Sequence, residues 1–253
     1  MKNELKARLK KGETITGTFV GLGHPDVTEW LSRLGYDFLL LDGEHSPIGF
    51  ETMQVMMQAM NGTSCVPIVR PQWNDMVVVK RVLDLGAYGV LLPWVNSKEE
   101  AEYAVRICKY PPEGIRGCGP RRAATFDPDY VNTANDELLI AVQIETQQAV
   151  DNVDEILAVE GVDACYIGPY DLAFSMLGTP PDWDNPQYLA AFDKVLAAAA
   201  KRGKPAGMFT SPDNIEWAIK KGFRFNTVGA ADNFLIQGAK DALKKARVAQ
   251  GKE

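Results

Sequence analysis

The chain has 253 residues, and its 46% hydrophobic content is ordinary for a globular protein with one large core. A formal charge of −6 argues against a nucleic-acid or anionic-membrane partner. No apolar run is long enough to span a bilayer, and the charged start Met1-Lys2-Asn3-Glu4-Leu5-Lys6 has no apolar stretch behind it, so neither a transmembrane segment nor secretion is expected.

Residues 14–21 predict a first strand, and 26–34 a helix stopped by Gly35. Residues 38–41, all apolar, predict a buried second strand, followed by a helix over 50–60. A third strand is expected over 65–70, with a helix over 74–85 that stops at Gly86. A fourth follows over 89–94, then a helix from Ser97, where Glu100 fits a capping box. Residues 110–135, rich in Pro, Gly and Arg, read as a long irregular stretch of the kind that usually serves function. Strands over 138–144, 164–167, 205–209 and 225–229 come next, with helices over 150–158, 186–202, 212–221 and 232–248. Eight strands alternating with eight helices, with no linker between them, argue for a single (β/α)8 TIM barrel over residues 1–253. The length agrees, since such barrels typically run to ~250 residues. An open doubly wound sheet also fits the alternation, but no Gly-x-Gly-x-x-Gly or Walker loop follows any strand.

The strand ends carry the chemistry, because the C-terminal ends of parallel strands form the mouth of such a barrel. The second strand ends in Asp42, Glu44 and His45, the third in Arg70, the fifth in Gln143 and Glu145. The sixth runs into Gly168-Pro169-Tyr170-Asp171. Any one of these carboxylates alone could cap the next helix. Together with a His and an Arg they point to one site. Glu145 and Asp171 lie on adjacent strands and could share one divalent cation in a hard-oxygen site that keeps open positions. Mg²⁺ or Mn²⁺ suits it, with Co²⁺ as a third candidate. Such an ion would act as a Lewis acid on a 2-oxo acid, and Arg70 would stabilise the same developing oxyanion. His45 would move the proton, directly or through a metal-bound water. No lysine ends an assigned strand, which removes a Schiff-base aldolase, and no Ser or Cys shows a hydrolase triad. Cys65, Cys108, Cys118 and Cys165 lack zinc-site spacing and read as free thiols of a reducing cytoplasm.

Several motifs together resemble one known family. They are Leu41-Asp42-Gly43-Glu44-His45, Pro67-Ile68-Val69-Arg70-Pro71, Tyr110-Pro111-Pro112-Glu113-Gly114-Ile115-Arg116-Gly117, Val142-Gln143-Ile144-Glu145-Thr146 and Ile167-Gly168-Pro169-Tyr170-Asp171-Leu172. The chain is similar in these to the HpcH/HpaI aldolases, from about Gly17 to Gly229. These are class II, metal-dependent pyruvate aldolases such as the 4-hydroxy-2-oxoheptane-1,7-dioate, 2-keto-3-deoxy-L-rhamnonate and 2-dehydro-3-deoxyglucarate aldolases. The resemblance implies reversible cleavage of a 4-hydroxy-2-oxo acid to pyruvate and an aldehyde. It makes His45 the base, Arg70 the enolate stabiliser, and Glu145 and Asp171 the metal ligands. Gln143 and the backbone amides of Tyr170 and Asp171 would hold pyruvate, with Asp42 beside the substrate.

Asp84 matches the acid that raises the basicity of the histidine in that family. It ends a helix away from its own mouth, so this role would reach His45 of a neighbouring subunit. The resemblance accordingly implies a homo-oligomer, a hexamer built as a trimer of dimers, with exchanged C-terminal helices. Two stretches depart from the pattern. In Cys118-Gly119-Pro120-Arg121-Arg122 the arginines fit either an acidic acceptor or a salt-bridged loop. Met208-Phe209-Thr210-Ser211 is apolar and bulky where aldehyde-selecting residues often lie. His24 reads as a residue leading into the next helix or as an acceptor contact. Two other functions stay open: an oxaloacetate decarboxylase or other carbon–carbon lyase or synthase working on the same enolate, and a non-catalytic 2-oxo-acid binding protein.

Overall fold

Eight parallel strands form in the computed structural model, which describes residues 2–251. They are β1 (Ile15–Val20), β2 (Phe38–Asp42), β3 (Val66–Arg70), β4 (Gly89–Leu92), β5 (Leu139–Ile144), β6 (Ala164–Ile167), β7 (Ala206–Thr210) and β8 (Phe225–Ala230). Each pairs with the next, and β8 pairs with β1, so the barrel closes without an edge. The expected fourth strand stops two residues early. Pro93 has no N–H to give a ladder, and Trp94 turns into the left-handed region at φ 56°, the one non-glycine among the described residues to do so.

The two-residue period of the strands decides what faces the interior. Phe38 and Leu40 pack inside the barrel, and Leu39 and Leu41 pack outward against the helices. Continuing the inward phase past Leu40, Ile68, Ala141 and Tyr166 brings Asp42, Arg70, Gln143 and Gly168 to the same interior, one step nearer the mouth. The register then sets Asp42 beside Arg70 and Gln143 beside Tyr166.

The opposite end of the barrel is plugged by the helix Glu4–Lys10, whose Leu5 and Leu9 join Ile15, Phe38 and Phe225 in the inner core. Asn3 caps this helix, accepting from the Lys6 N–H at 3.1 Å and donating to the Tyr88 and Glu137 carbonyls at 2.9 Å. Lys6 Nζ sits 2.9 Å from the Asp163 carboxylate and donates to the Leu138 carbonyl at 2.7 Å.

Several helices depart from expectation. The segment expected as one helix over 150–158 is two short ones, Gln147–Asp151 and Val153–Ile156, broken at Asn152, whose amide donates to the Asn96 carbonyl. The irregular stretch over 110–135 contains the helix Ala123–Phe126 and most of Tyr130–Glu137. An unexpected helix, Pro169–Leu177, starts directly after β6. The last helix, Ala231–Ala249, buries only Ala231, leaving Leu235, Ile236, Leu243 and Val248 exposed. Among the described residues no helix is long and apolar enough to cross a membrane.

Candidate active site

At the mouth of the barrel Arg70 is held by acids from its neighbouring strand. Its Nε and Nη2 each donate to one Asp42 oxygen at 2.9 Å, a bidentate pair, and Nη1 lies 3.1 Å from Glu44 Oε2 without hydrogen-bond geometry. All three side chains are buried. Asp42 also accepts from the Glu44 and His45 N–H groups at 3.1 and 3.3 Å, a turn that fixes the loop carrying the histidine. Burial works against ionisation of Asp42, but the guanidinium and the two N–H groups hold its carboxyl below the ordinary value. His45 itself projects from that loop, its ring 60% exposed and Nε2 3.9 Å from Glu44 Oε2.

Glu145 stands one residue beyond β5. Its Oε1 accepts from the Trp94 N–H at 2.8 Å, and its Oε2 accepts from the Gln143 amide. Burial pushes this carboxyl up to about 8, and the acids Glu44 and Asp171 add to the rise, against the Trp94 N–H and Arg70. Glu44 is likewise lifted by burial, which outweighs Arg70. Gly168 makes room for this carboxylate: a Cβ there would meet Glu145 Oε2 at 2.6 Å and Gln143 Nε2 at 2.8 Å. The Tyr170 and Asp171 N–H groups, in the first turn of Pro169–Leu177, have no intrahelical acceptor, and Gly168 offers no capping side chain to take them up.

A cavity of about 560 Å³ opens over these groups, lined among others by Asp42, His45, Arg70, Gln143, Tyr170 and Asp171. Six of the expected site residues therefore meet at one mouth, with Glu145 buried beneath. Asp84 does not join them. It ends the helix Met76–Asp84, bonded at 2.7 Å to the buried Arg116, and lines a separate cavity of about 660 Å³ with Arg121 and Arg122. Arg122 is occupied by the Leu85 carbonyl at 2.6 Å and Asn61 at 3.2 Å. His24 caps the helix Pro25–Ser32, its Nδ1 accepting from the Asp26 N–H at 3.3 Å. Cys65, Cys108 and Cys165 are buried, Cys118 is exposed, and all four are free.

The donor set suits a hard divalent cation. Glu44, Glu145 and Asp171 repel one another electrostatically, and Glu44 Oε2 and Gln143 Oε1 are buried without hydrogen-bond partners among the described residues. Yet among the described residues no three His, Cys, Asp or Glu side chains form a complete ligand group. An ion here would take most of its shell from water or substrate oxygens, as Mg²⁺ commonly does. Sequence reasoning gave Glu44 no role and missed the Trp94 amide. The first had a signal, an acid two residues beyond a fully buried strand. The second is a main-chain contact that any residue but proline can make.

The profile of the HpcH/HpaI aldolase/citrate lyase family matches residues 16–237. Over 248 residues the chain is 39% identical to a 4-hydroxy-2-oxo-heptane-1,7-dioate aldolase of Escherichia coli, covering 96% of this chain and 94% of that one. A solved HpcH/HpaI aldolase/citrate lyase family protein from Burkholderia cenocepacia J2315 superposes with a TM-score of 0.92 at 33% identity, covering 97% of this chain and 100% of the other. The citrate synthase SbnG superposes with a TM-score of 0.87 at 27% identity, covering 98% and 99%.

Proposed function

The chain belongs to the HpcH/HpaI aldolase/citrate lyase family, and from that premise we propose that it is a class II aldolase, cleaving a 4-hydroxy-2-oxo acid reversibly to pyruvate and an aldehyde. The observation that carries this reading is a buried guanidinium, Arg70, set among Asp42, Glu44 and Glu145 beneath a cavity rimmed by His45. A divalent ion, Mg²⁺ or Mn²⁺ with Co²⁺ as a third candidate, would be held by Glu145 and Asp171 and would supply Lewis-acid polarisation of the 2-oxo group. The Gln143 amide and the free Tyr170 and Asp171 N–H groups bind the substrate carboxylate and orient it. His45 takes the C4-hydroxyl proton as the C3–C4 bond breaks, C4 leaves as the aldehyde, and the electron pair stays on C3. Arg70 faces the negative charge that then develops on the C2 oxygen. Asp42 fixes both Arg70 and the His45 loop. A proton returned to C3 completes pyruvate.

The exposed apolar residues of Ala231–Ala249 support exchange of this helix between subunits of a homohexamer, a trimer of dimers. In that assembly Asp84, remote from its own mouth, reaches His45 of a second copy. Four unpaired cysteines fit a cytoplasmic enzyme. The test is exchange of pyruvate methyl protons in D₂O, followed by proton NMR with Mg²⁺ or Mn²⁺, with a chelator, and in His45→Ala. Exchange that needs both metal and His45 is expected, and oxaloacetate run alongside should be the poorer substrate. Near-normal exchange and turnover in His45→Ala would remove that residue from the mechanism. No exchange with any metal would remove pyruvate as the nucleophile.

A further inference from the structure

The mouth of the barrel is divided by chemistry. Strands β2, β3 and β5 bring Asp42, Arg70 and Gln143 to the cavity, whereas β1, β6, β7 and the helix after β6 bring the aromatic rings Phe19, Tyr166, Phe209 and Tyr170. Phe209 packs edge-to-face on Phe19, centroids 5.7 Å apart, and Phe19 packs the same way on the floor residue Tyr166 at 6.4 Å. Tyr170, at the start of Pro169–Leu177, extends the series to the rim by packing on Phe209 at 6.3 Å. The result is a ladder of four rings from floor to rim, and Tyr170 leaves 57% of its surface open. An additional ring has an edge-to-face or offset-stacked seat there.

Charge on the same cavity excludes a different ligand. Among the described residues lining it, Arg70 is the one Lys or Arg, and its three nitrogens already face Asp42 and Glu44. Asp232, opening the last helix, adds an acid. A second carboxylate entering this space would find no unpaired cation from its own subunit and would lose its hydration without replacement there.

We propose that the acceptor is an uncharged aromatic aldehyde whose ring packs on Phe209 and Tyr170, and that a semialdehyde carrying a second carboxylate is a poor one. This rests on the aldolase reading above. In the synthetic direction pyruvate loses one methyl proton, its C3 bonds to the aldehyde carbon, and the carbonyl π pair moves to the aldehyde oxygen. That oxygen takes up one proton, so the product is a 4-aryl-4-hydroxy-2-oxobutanoate and nothing is oxidised or reduced.

The experiment uses the full chain loaded with Mn²⁺. It compares pyruvate release from 4-hydroxy-2-oxo-4-phenylbutanoate and from 4-hydroxy-2-oxoheptane-1,7-dioate, with methyl-proton exchange of pyruvate followed in the same preparation. We expect kcat/KM at least about tenfold higher for the phenyl substrate, with Phe209→Ala and Tyr170→Ala each lowering that ratio about fivefold. A preference for the dioate in protein that exchanges pyruvate protons overturns the proposal and leaves the aldolase reading standing. A phenyl preference untouched by either variant overturns the role of the ladder. No exchange, and no pyruvate from either substrate, removes both readings together.

Discussion

The two ends of this barrel are built from the same strands and treat charge in opposite ways. At the N-terminal end Lys6 is taken out of water, which lowers its pKa, but Asp163 and the Leu138 carbonyl answer it, and Asn3 spends its side chain on three main-chain groups. Leu5 and Leu9 then seal the floor. At the mouth Arg70 is likewise matched by Asp42, but Glu44, Glu145 and Asp171 remain mutually repelling, and Glu44 and Gln143 keep buried oxygens without hydrogen bonds among the described residues. At one end Lys6 and Asn3 are answered by the chain itself. At the other, several buried acids and polar oxygens are left unanswered among the described residues, a pattern typical of binding sites.

The contrast is broken most severely at Arg70. Arg70→Ala should lower kcat/KM by about 10³-fold, the upper scale of losing one preorganised oxyanion partner, and should also lower thermal stability because Asp42 and Glu44 are left buried and unpaired. Steady-state kinetics and a thermal melt check both.

The next effect in size sharpens the comparison through pH. Glu145 has an ordinary value of 4.5 and is pushed to about 8 in the folded protein. Between those values the folded, metal-free protein holds a proton that the unfolded chain has released. Stability from this group is therefore fully present below the lower value and is lost as pH rises through the higher one. Urea unfolding in a chelator should lose about 3.5 kcal/mol from about pH 5 to about pH 8. On the metal role proposed for Glu145, saturating Mg²⁺ should abolish that slope by taking up the ionised form, and a slope of the same size in Glu145→Gln would assign it elsewhere. Smallest of the three, Lys6→Met should cost about 3 kcal/mol in urea unfolding, because it removes the cation beside the part-buried Asp163 and leaves that carboxylate only the Ile140 N–H, while kcat/KM stays within about twofold. Activity lost in proportion to stability would show that the two ends are not independent.

Most strands were legible because they are nearly unbroken apolar runs buried on both faces with period-two continuation into a polar end, whereas β1 and β8 intersperse Thr, Asn and Gly among their apolar residues. Asp42, Arg70, Gln143 and Glu145 could be read for the same reason. The plug was not legible: Glu4–Lys10 offers only Leu5 and Leu9 as an apolar face, and seven residues are too few to show a helical period. Pro169–Leu177 was hidden by its opening Gly-Pro, which reads as a turn, and by apolar residues on every side. Arg116, in the Tyr110–Gly117 segment, shows no sequence sign of a role, yet it is the fully buried partner of Asp84. Nothing local distinguishes it, because its partners are brought together only by the tertiary fold.

The plug also sets the order in which the molecule can assemble. Lys6 depends on Leu138 and Asp163, the Ile15 N–H donates to the Arg224 carbonyl at 2.8 Å, and β1 pairs with β8. Residues 4–20 thus complete their contacts only once β8 is in place, although β1 can already pair with β2. Ring closure is a late, high-contact-order event, slowed by the entropy of joining distant parts of the chain. Until it happens, the nascent sheet exposes two unpaired edges and an open floor, and this is the interval in which a chaperone has most to shield.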